Sequence, residues 1–296
     1  MTSAMNRFTS LLGPYPEQGE LNVSRKVEKS FPRYTLERIC YYVESKERVS
    51  AFLLIPHQIK FPGAAIFCHH QHNGEWHIGK SEPAGLAGDP DQHIAKELAE
   101  RGFVTFAPDA LGFEERNDGK DHEHSYREMT NRLLKGETYF AKLIHDIRRG
   151  VDVLFELEEL SITQLGFIGH SYGGKMALMA PLFDDRIKAT VSNCGCITWK
   201  DSLKKEAGVQ MELAIPELLN YLDLEDLVKE IRDCSVLISA THDDVWSMSA
   251  QDIYEQCKGS FRKGDLALRM YEGGHVFTKE MREVAYEFLI SRLGDV

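Results

Sequence analysis

Ser171, Asp243 and His275 stand where a serine nucleophile, an orienting acid and a general base would stand. Ser171 lies in the run Leu165-Gly166-Phe167-Ile168-Gly169-His170-Ser171-Tyr172-Gly173-Gly174, which reads as a short buried strand passing straight into a helix over 175–182. A serine at so sharp a strand-to-helix turn is held in a strained conformation, and the positions two before and two after it must lack side chains. Gly169 and Gly173 fill those positions. The hydroxyl then sits at the positive end of the helix, where developing negative charge is favoured. A glycine-rich turn that only packs closely or cradles a phosphate is the competing explanation, and the downstream residues weigh against it. An apolar strand over 235–240 empties into Thr241-His242-Asp243-Asp244, and another over 266–271 empties into Glu272-Gly273-Gly274-His275. Serine is a weak nucleophile at its free pKa, so His275 must take its proton during attack and return it to the leaving group. An aspartate fixes the imidazole tautomer and stabilises the imidazolium that forms.

With these residues in view, the chain resembles the α/β-hydrolase superfamily, within it the dienelactone-hydrolase-like and acetyl-esterase-like branch. The resemblance covers roughly residues 35–292. It is carried by Gly169-His170-Ser171-Tyr172-Gly173-Gly174, the Asp243-Asp244 pair, Gly273-Gly274-His275, and Ala107-Pro108-Asp109 followed by Gly112. It implies an α/β fold with a doubly wound, mainly parallel sheet flanked by helices. It also implies a carboxylic ester hydrolase that needs no cofactor. In the family a glycine, two variable residues and then the aspartate follow the acid-bearing strand. Ala240 stands in the glycine's place, so the register points to Asp243, with Asp244 as the alternative one residue on. Serine at 171 disfavours the cysteine-nucleophile chemistry of the dienelactone hydrolases themselves.

The third strand is followed by His69-His70-Gln71-His72-Asn73-Gly74-Glu75-Trp76-His77. In the resembling family this loop supplies half of the oxyanion hole, here through the backbone N–H of Gln71 or His72 together with that of Tyr172. One such donor is worth about 3–4 kcal/mol in the transition state. The clustered histidines also raise a metal site, which would need further ligands and supporting hydrogen bonds. His122-Glu123-His124 could supply them but reads as a solvated face, and the triad already accounts for the chemistry, so no metal is assigned. Trp76 and Trp199, residue types more often found in cores, flank the expected cleft and are assigned as pocket walls.

The elements that must position these residues follow from the rest of the chain. Its 296 residues, 43% hydrophobic and 27% charged, suit one soluble α/β domain with a large core. A net charge of −11 argues against nucleic acid and anionic membrane as partners. No apolar run is long enough to span a bilayer, and the N-terminal residues lack a signal-peptide core, so a cytoplasmic location with reduced thiols is expected. The six cysteines are scattered, and the one close pair, Cys194-Gly195-Cys196, has the spacing of neither a zinc knuckle nor a redox pair. Residues 1–33, broken by Gly13-Pro14 and Pro16, read as an irregular or helical arm that packs across the domain or carries a homodimer contact. The hydrolase domain occupies 34–296. It opens with a hairpin over 36–44 and 49–55, then alternates apolar strands with helices, including one over 140–157, and closes with a helix over 279–293. Two stretches exceed this alternation: a charged one over 113–138, and one over 195–233 whose Trp199, Met211 and Ile215-Pro216 suggest a small cap over the pocket.

These features favour a serine hydrolase acting on a small-molecule carboxylic ester through an acyl-enzyme. Amide, peptide or carbon–carbon bond hydrolysis on the same scaffold is the nearest alternative, since fold and triad do not decide the leaving group. A non-catalytic ligand receptor on this scaffold would be expected to have lost a triad member.

Overall fold

The computed structural model describes residues 3–204, 207–262 and 264–294. In chain order its helices and strands are α1 (Ala4–Leu12), β1 (Ser24–Ser30), β2 (Tyr34–Tyr42), β3 (Arg48–Pro56), β4 (Ala64–His69), α2 (Ile94–Arg101), β5 (Val104–Pro108), α3 (His122–Leu134), α4 (Tyr139–Glu156), β6 (Gln164–His170), α5 (Tyr172–Met179), β7 (Ile187–Asn193), α6 (Trp199–Lys204), α7 (Leu224–Val228), β8 (Ser235–Thr241), α8 (Ala250–Cys257), β9 (Leu266–Tyr271) and α9 (Lys279–Leu293). The strands form one sheet in the order β1-β2-β3-β5-β4-β6-β7-β8-β9. Pairing is antiparallel from β1 through the β3–β5 contact and parallel from β5 to β9. This is the doubly wound, mainly parallel architecture expected. Among the described residues no helix is long and apolar enough to cross a membrane.

The central strands are apolar throughout because both of their faces are covered. Along β4, Ala64, Ile66 and Cys68 join the core built with Ile94 and Leu98 of α2 and Met281, Ala285 and Leu289 of α9. Ala65 and Phe67 point the other way, into the core shared with α4 and α5. Parallel strands therefore deliver their C-terminal ends, and the loops that follow, to one edge of the sheet, where ligands bind in open α/β sheets.

The N-terminal arm carries the helix allowed for in the sequence and, beyond that expectation, a sheet strand, so the sheet begins at Ser24, inside the segment assigned to the arm. The Ser3 side chain caps α1 by accepting from the Asn6 N–H, and Phe8 and Leu12 are fully buried, with Phe8 edge-on to Phe140 of α4. Every residue of β1 is exposed. An edge strand with solvent on both faces has no hydrophobic alternation, and its charged Ser-Arg-Lys-Val-Glu-Lys-Ser sequence protects the edge from pairing with other chains.

The loop after β4 is anchored by a buried cation. Lys80 is completely inaccessible, and its ammonium lies 2.8 Å from Asp109, 2.6 Å from Glu114 and 2.8 Å from Glu115. Its backbone N–H also donates to Asp109 at 2.7 Å. Burial alone would lower the lysine's pKa, but Asp109 and Glu114 outweigh it and hold it raised. Because Asp109 ends the β5 segment, this cluster ties the histidine-rich loop to the sheet. Lys80→Met should leave the buried Asp109 without its partner and cost about 3–5 kcal/mol of stability, read from the urea midpoint. A loss below about 1 kcal/mol would show that the loop is held in some other way.

Candidate active site

Ser171 sits between β6 and α5 at φ 57° and ψ −115°, a left-handed conformation that a serine adopts only when its surroundings impose it. A Cβ at Gly169 would lie 2.4 Å from the carbonyl carbon of Gly173, and one at Gly173 would lie 2.4 Å from the His69 carbonyl oxygen. Both glycines are therefore required by close backbone approach, and the second brings the loop after β4 directly against the elbow.

A buried amide joins the segments that meet here. The Ser171 N–H donates to the Asn193 carbonyl at 2.8 Å. The Asn193 side-chain amide donates to His170 Nδ1 at 2.7 Å and to the Val276 carbonyl at 3.0 Å, and its Oδ1 accepts from the Ser239 hydroxyl at 2.7 Å. One residue at the end of β7 thus holds the elbow, strand β8 and the loop after β9 together. Nothing in the sequence alone distinguished Asn193 from an ordinary strand-end residue.

His275, on the loop after β9, contacts Asp244 and not Asp243. Its Nδ1 lies 3.0 Å from Asp244 Oδ1. Asp244 is buried, whereas Asp243 is exposed. The sequence register is one residue early because β8 runs on through Thr241, which pairs with Tyr271, and the backbone N–H groups of His242 and Asp243 continue to donate to the β9 side. Asp244 then begins a short 3-10 turn, where its carboxylate accepts from the Trp246 N–H at 3.1 Å and the Ser247 hydroxyl at 2.6 Å. Burial pushes the Asp244 pKa up, but the bonds from His275 and Ser247 prevail and hold it below the ordinary carboxylate value. An aspartate followed three residues later by serine was the signal available in sequence for this turn.

The His275 side chain is 31% exposed and its ring lies 4.5 Å, centroid to centroid, from that of His170. Among the described residues the Ser171 hydroxyl makes no side-chain hydrogen bond.

The remaining sequence-assigned residues fall on two sides of the elbow. Tyr172 is the first residue of α5, so its N–H has no partner within the helix. Gln71 is buried with its amide donating to Glu82 at 3.0 Å, and His72 is half-buried against Tyr172, Phe113 and Trp76. Trp199 lines a cavity that opens beside Ser171, with Tyr172, Ile197, Val209 and Leu213. This space is about 420 Å³ including its open mouth. Of the segment over 195–233, residues from Gly195 to Leu213 contribute to this lining. Trp76 is not among the residues lining this cavity. It packs on His72 and His122 instead, and Trp246, a residue singled out by no motif, takes the wall position.

The histidines around the elbow are engaged in backbone structure. His70 Nδ1 donates to the Gln71 carbonyl at 2.7 Å while its Nε2 accepts from the Ala110 N–H at 3.1 Å, which fixes a neutral tautomer. His69 Nδ1 donates to the His70 carbonyl at 2.9 Å. Two groups of potential metal ligands occur among the described residues. In the first, Cys194 with Asp244 and His275, the imidazole and the carboxylate are already joined to each other, and burial pushes the thiol up to about 12. In the second, Asp109 with Glu114 and Glu115, the Lys80 ammonium occupies the centre.

The chain belongs to the α/β-hydrolase fold family: the model of that fold matches residues 65–230. It is 28% identical over 187 residues to a Bacillus subtilis (strain 168) protein named "Putative hydrolase YtaP", an alignment spanning 62% of this chain and 60% of that relative's length. Among solved structures, it resembles acetyl xylan esterase 1 from Thermoanaerobacterium sp. JW/SL YS485, with a TM-score of 0.67, 15% identity, and coverage of 97% of this chain and 98% of that one. It also resembles the acetyl xylan esterase from Paenibacillus sp. R4, with a TM-score of 0.69, 16% identity, and coverage of 98% and 93%. At these identities the likeness is one of fold.

Two expectations follow from this geometry. Burial lowers the pKa of His69 to about 4, and burial with a neighbouring histidine lowers His70 and His170 to about 3. The unfolded chain then binds more protons than the folded one below the ordinary histidine pKa, so stability is full above it and lost as pH falls. The three together should cost ~3 kcal/mol between pH 6.5 and 5.5, of which Asp109, pushed up by burial to about 7 and protonated in the fold over the same window, returns ~1 kcal/mol, so urea unfolding at both values should show a net loss of ~2 kcal/mol. Stability that stays level across that window would contradict the buried neutral assignment. Separately, Trp199→Ala should change relative kcat/KM across esters of graded acyl length while Ser171 keeps its reactivity toward a small fluorophosphonate. A uniform loss for every substrate and for the probe would mean that this segment only supports the fold.

Proposed function

We propose that this protein is a carboxylic ester hydrolase in which Ser171 is the nucleophile, His275 the general base and then acid, and Asp244 the residue that orients the imidazole. The observation that carries the reading is the His275–Asp244 contact at 3.0 Å on loops converging on a strained serine. The Asp244 carboxylate holds the proton on Nδ1, leaving Nε2 as the face that accepts from the serine hydroxyl. Attack on the ester carbonyl gives a tetrahedral intermediate whose oxyanion is received by the Tyr172 N–H and by the backbone of Gln71 or His72. His275 then protonates the departing alcohol, and water enters by the same route in reverse to release the acid. The apolar walls supplied by Trp199, Leu213 and Val209 suit a small organic substrate, and the esterases of similar fold support an ester over an amide.

Ser171→Ala should lower kcat for 4-nitrophenyl acetate by about 10³-fold or more. Asp244→Asn should lower it by about 10⁴-fold through the wrong imidazole tautomer, while Asp243→Asn, altering an exposed residue, should have little effect. Full activity in purified Ser171→Ala would end the hydrolase reading. A larger loss in Asp243→Asn than in Asp244→Asn would return the acid role to the earlier residue.

A further inference from the structure

Among the described residues three lysines are almost wholly buried, and their surroundings differ in kind. Lys80 and Lys142 have no accessible side-chain surface, and each ammonium lies within 2.8 Å of three carboxylates. Lys175 is 5% exposed, yet among the described residues no carboxylate lies within 4.0 Å of it. Its ammonium donates to the Ile197 carbonyl and lies 4.9 Å from the centroid of the Trp199 ring. A buried ammonium has three protons to place and a charge to balance, and one carbonyl with one aromatic face does neither completely. Burial accordingly lowers the Lys175 pKa to about 8 despite the opposing influence of Cys196 and Asp223, whereas Lys80 and Lys142 are held raised by their carboxylates.

The position of this under-compensated charge gives it meaning. Lys175 is one helical turn beyond Ser171 on α5, its own N–H donating to the Ser171 carbonyl at 2.9 Å. It lines the same cavity as Ser171, and the two groups that contact its ammonium, Ile197 and Trp199, are also walls of that cavity. We propose that Lys175 is the specificity-determining contact of the pocket, and that the preferred substrate is an ester whose enclosed limb carries a carboxylate which pairs with this ammonium. This deepens the ester-hydrolase reading and rests on it. Apart from Lys175 the lining is uncharged and mostly apolar, with Ser202 and Gln210 as polar members, and gives a neutral alkyl chain little reason to be refused; discrimination then comes from the cation, which has no carboxylate partner among the described residues and takes its counter-charge from the substrate.

The test compares kcat/KM within two matched pairs. For a charge on the acyl limb, the pair is 4-nitrophenyl hydrogen glutarate and 4-nitrophenyl pentanoate; for the alcohol limb, 3-acetoxybenzoate and 3-acetoxybenzamide. The wild-type enzyme should favour the anionic member of one pair by about 10-fold or more. Lys175→Met and Lys175→Gln should abolish that preference, and Lys175→Arg should retain part of it. Hydrolysis of the neutral esters with no anionic preference in either pair would overturn the proposal while leaving the hydrolase reading intact. A preference that survives in Lys175→Met would overturn it equally. Failure of wild-type protein to hydrolyse any of the four, with no fluorophosphonate labelling of Ser171, would overturn both. Should the lysine variants fail to fold, the wild-type comparison alone decides.

Discussion

The side chain of Asn193 is the contact on which the site depends. Its amide donates twice and accepts once inside a region from which water is excluded, and its carbonyl accepts the N–H of Ser171. The partners belong to the end of β6, to β8 and to the loop after β9. Those are the segments that bring Ser171, the Asp244 loop and the His275 imidazole to one edge of the sheet. A buried amide with all its hydrogen bonds satisfied is directional in a way that hydrophobic packing is not, so it fixes the loops relative to one another as well as to the core. Burial, with His275 alongside, lowers the His170 pKa to about 3, and the Asn193 amide donating to its Nδ1 fits that neutral ring.

The sequence made legible whatever depends on period and on close backbone approach. The strand, elbow and helix around Ser171, the last helix over Lys279–Leu293, and the alternation of strands and helices all appear where hydrophobic pattern and turn residues put them. What it hid depends on surroundings. Strand β1 has no buried face and therefore no pattern. The register to Asp243 rested on Ala240 standing in the place of the family's glycine, whereas β8 continues through Thr241, and a hydrogen-bonded extension of one residue leaves little trace in composition. Trp76 and Trp199 carry the same chemistry and both lie near the elbow, yet only Trp199 is on the cavity side, because the cap folds over the end of β7 while Trp76 is drawn to His72 and His122.

Charge is handled differently on the two sides of the nucleophile. On one side the loop after β4 carries paired charge: Lys80 is enclosed by three carboxylates, of which buried Asp109 has its pKa pushed up to about 7, and His69 and His70 are kept neutral by burial. On the cavity side Lys175 is left with a carbonyl and an aromatic ring. A protein with a net charge of −11 has carboxylates to spare, so the absence of one within ion-pair distance of Lys175 among the described residues is not a matter of supply.

The same logic separates His275 from the other histidines around the elbow. His69, His70 and His170 are almost completely buried, and each spends a ring nitrogen on a fixed partner. His275 alone of these four retains substantial access to solvent and has a carboxylate on its Nδ1 side. A general base must gain and lose a proton in each cycle, which requires a counter-charge for the protonated form and a route by which the proton can leave. The buried rings lack the first, the second or both. Four imidazoles of identical intrinsic chemistry thus take different roles, and the protein sets the difference through depth of burial and the identity of a single hydrogen-bond partner.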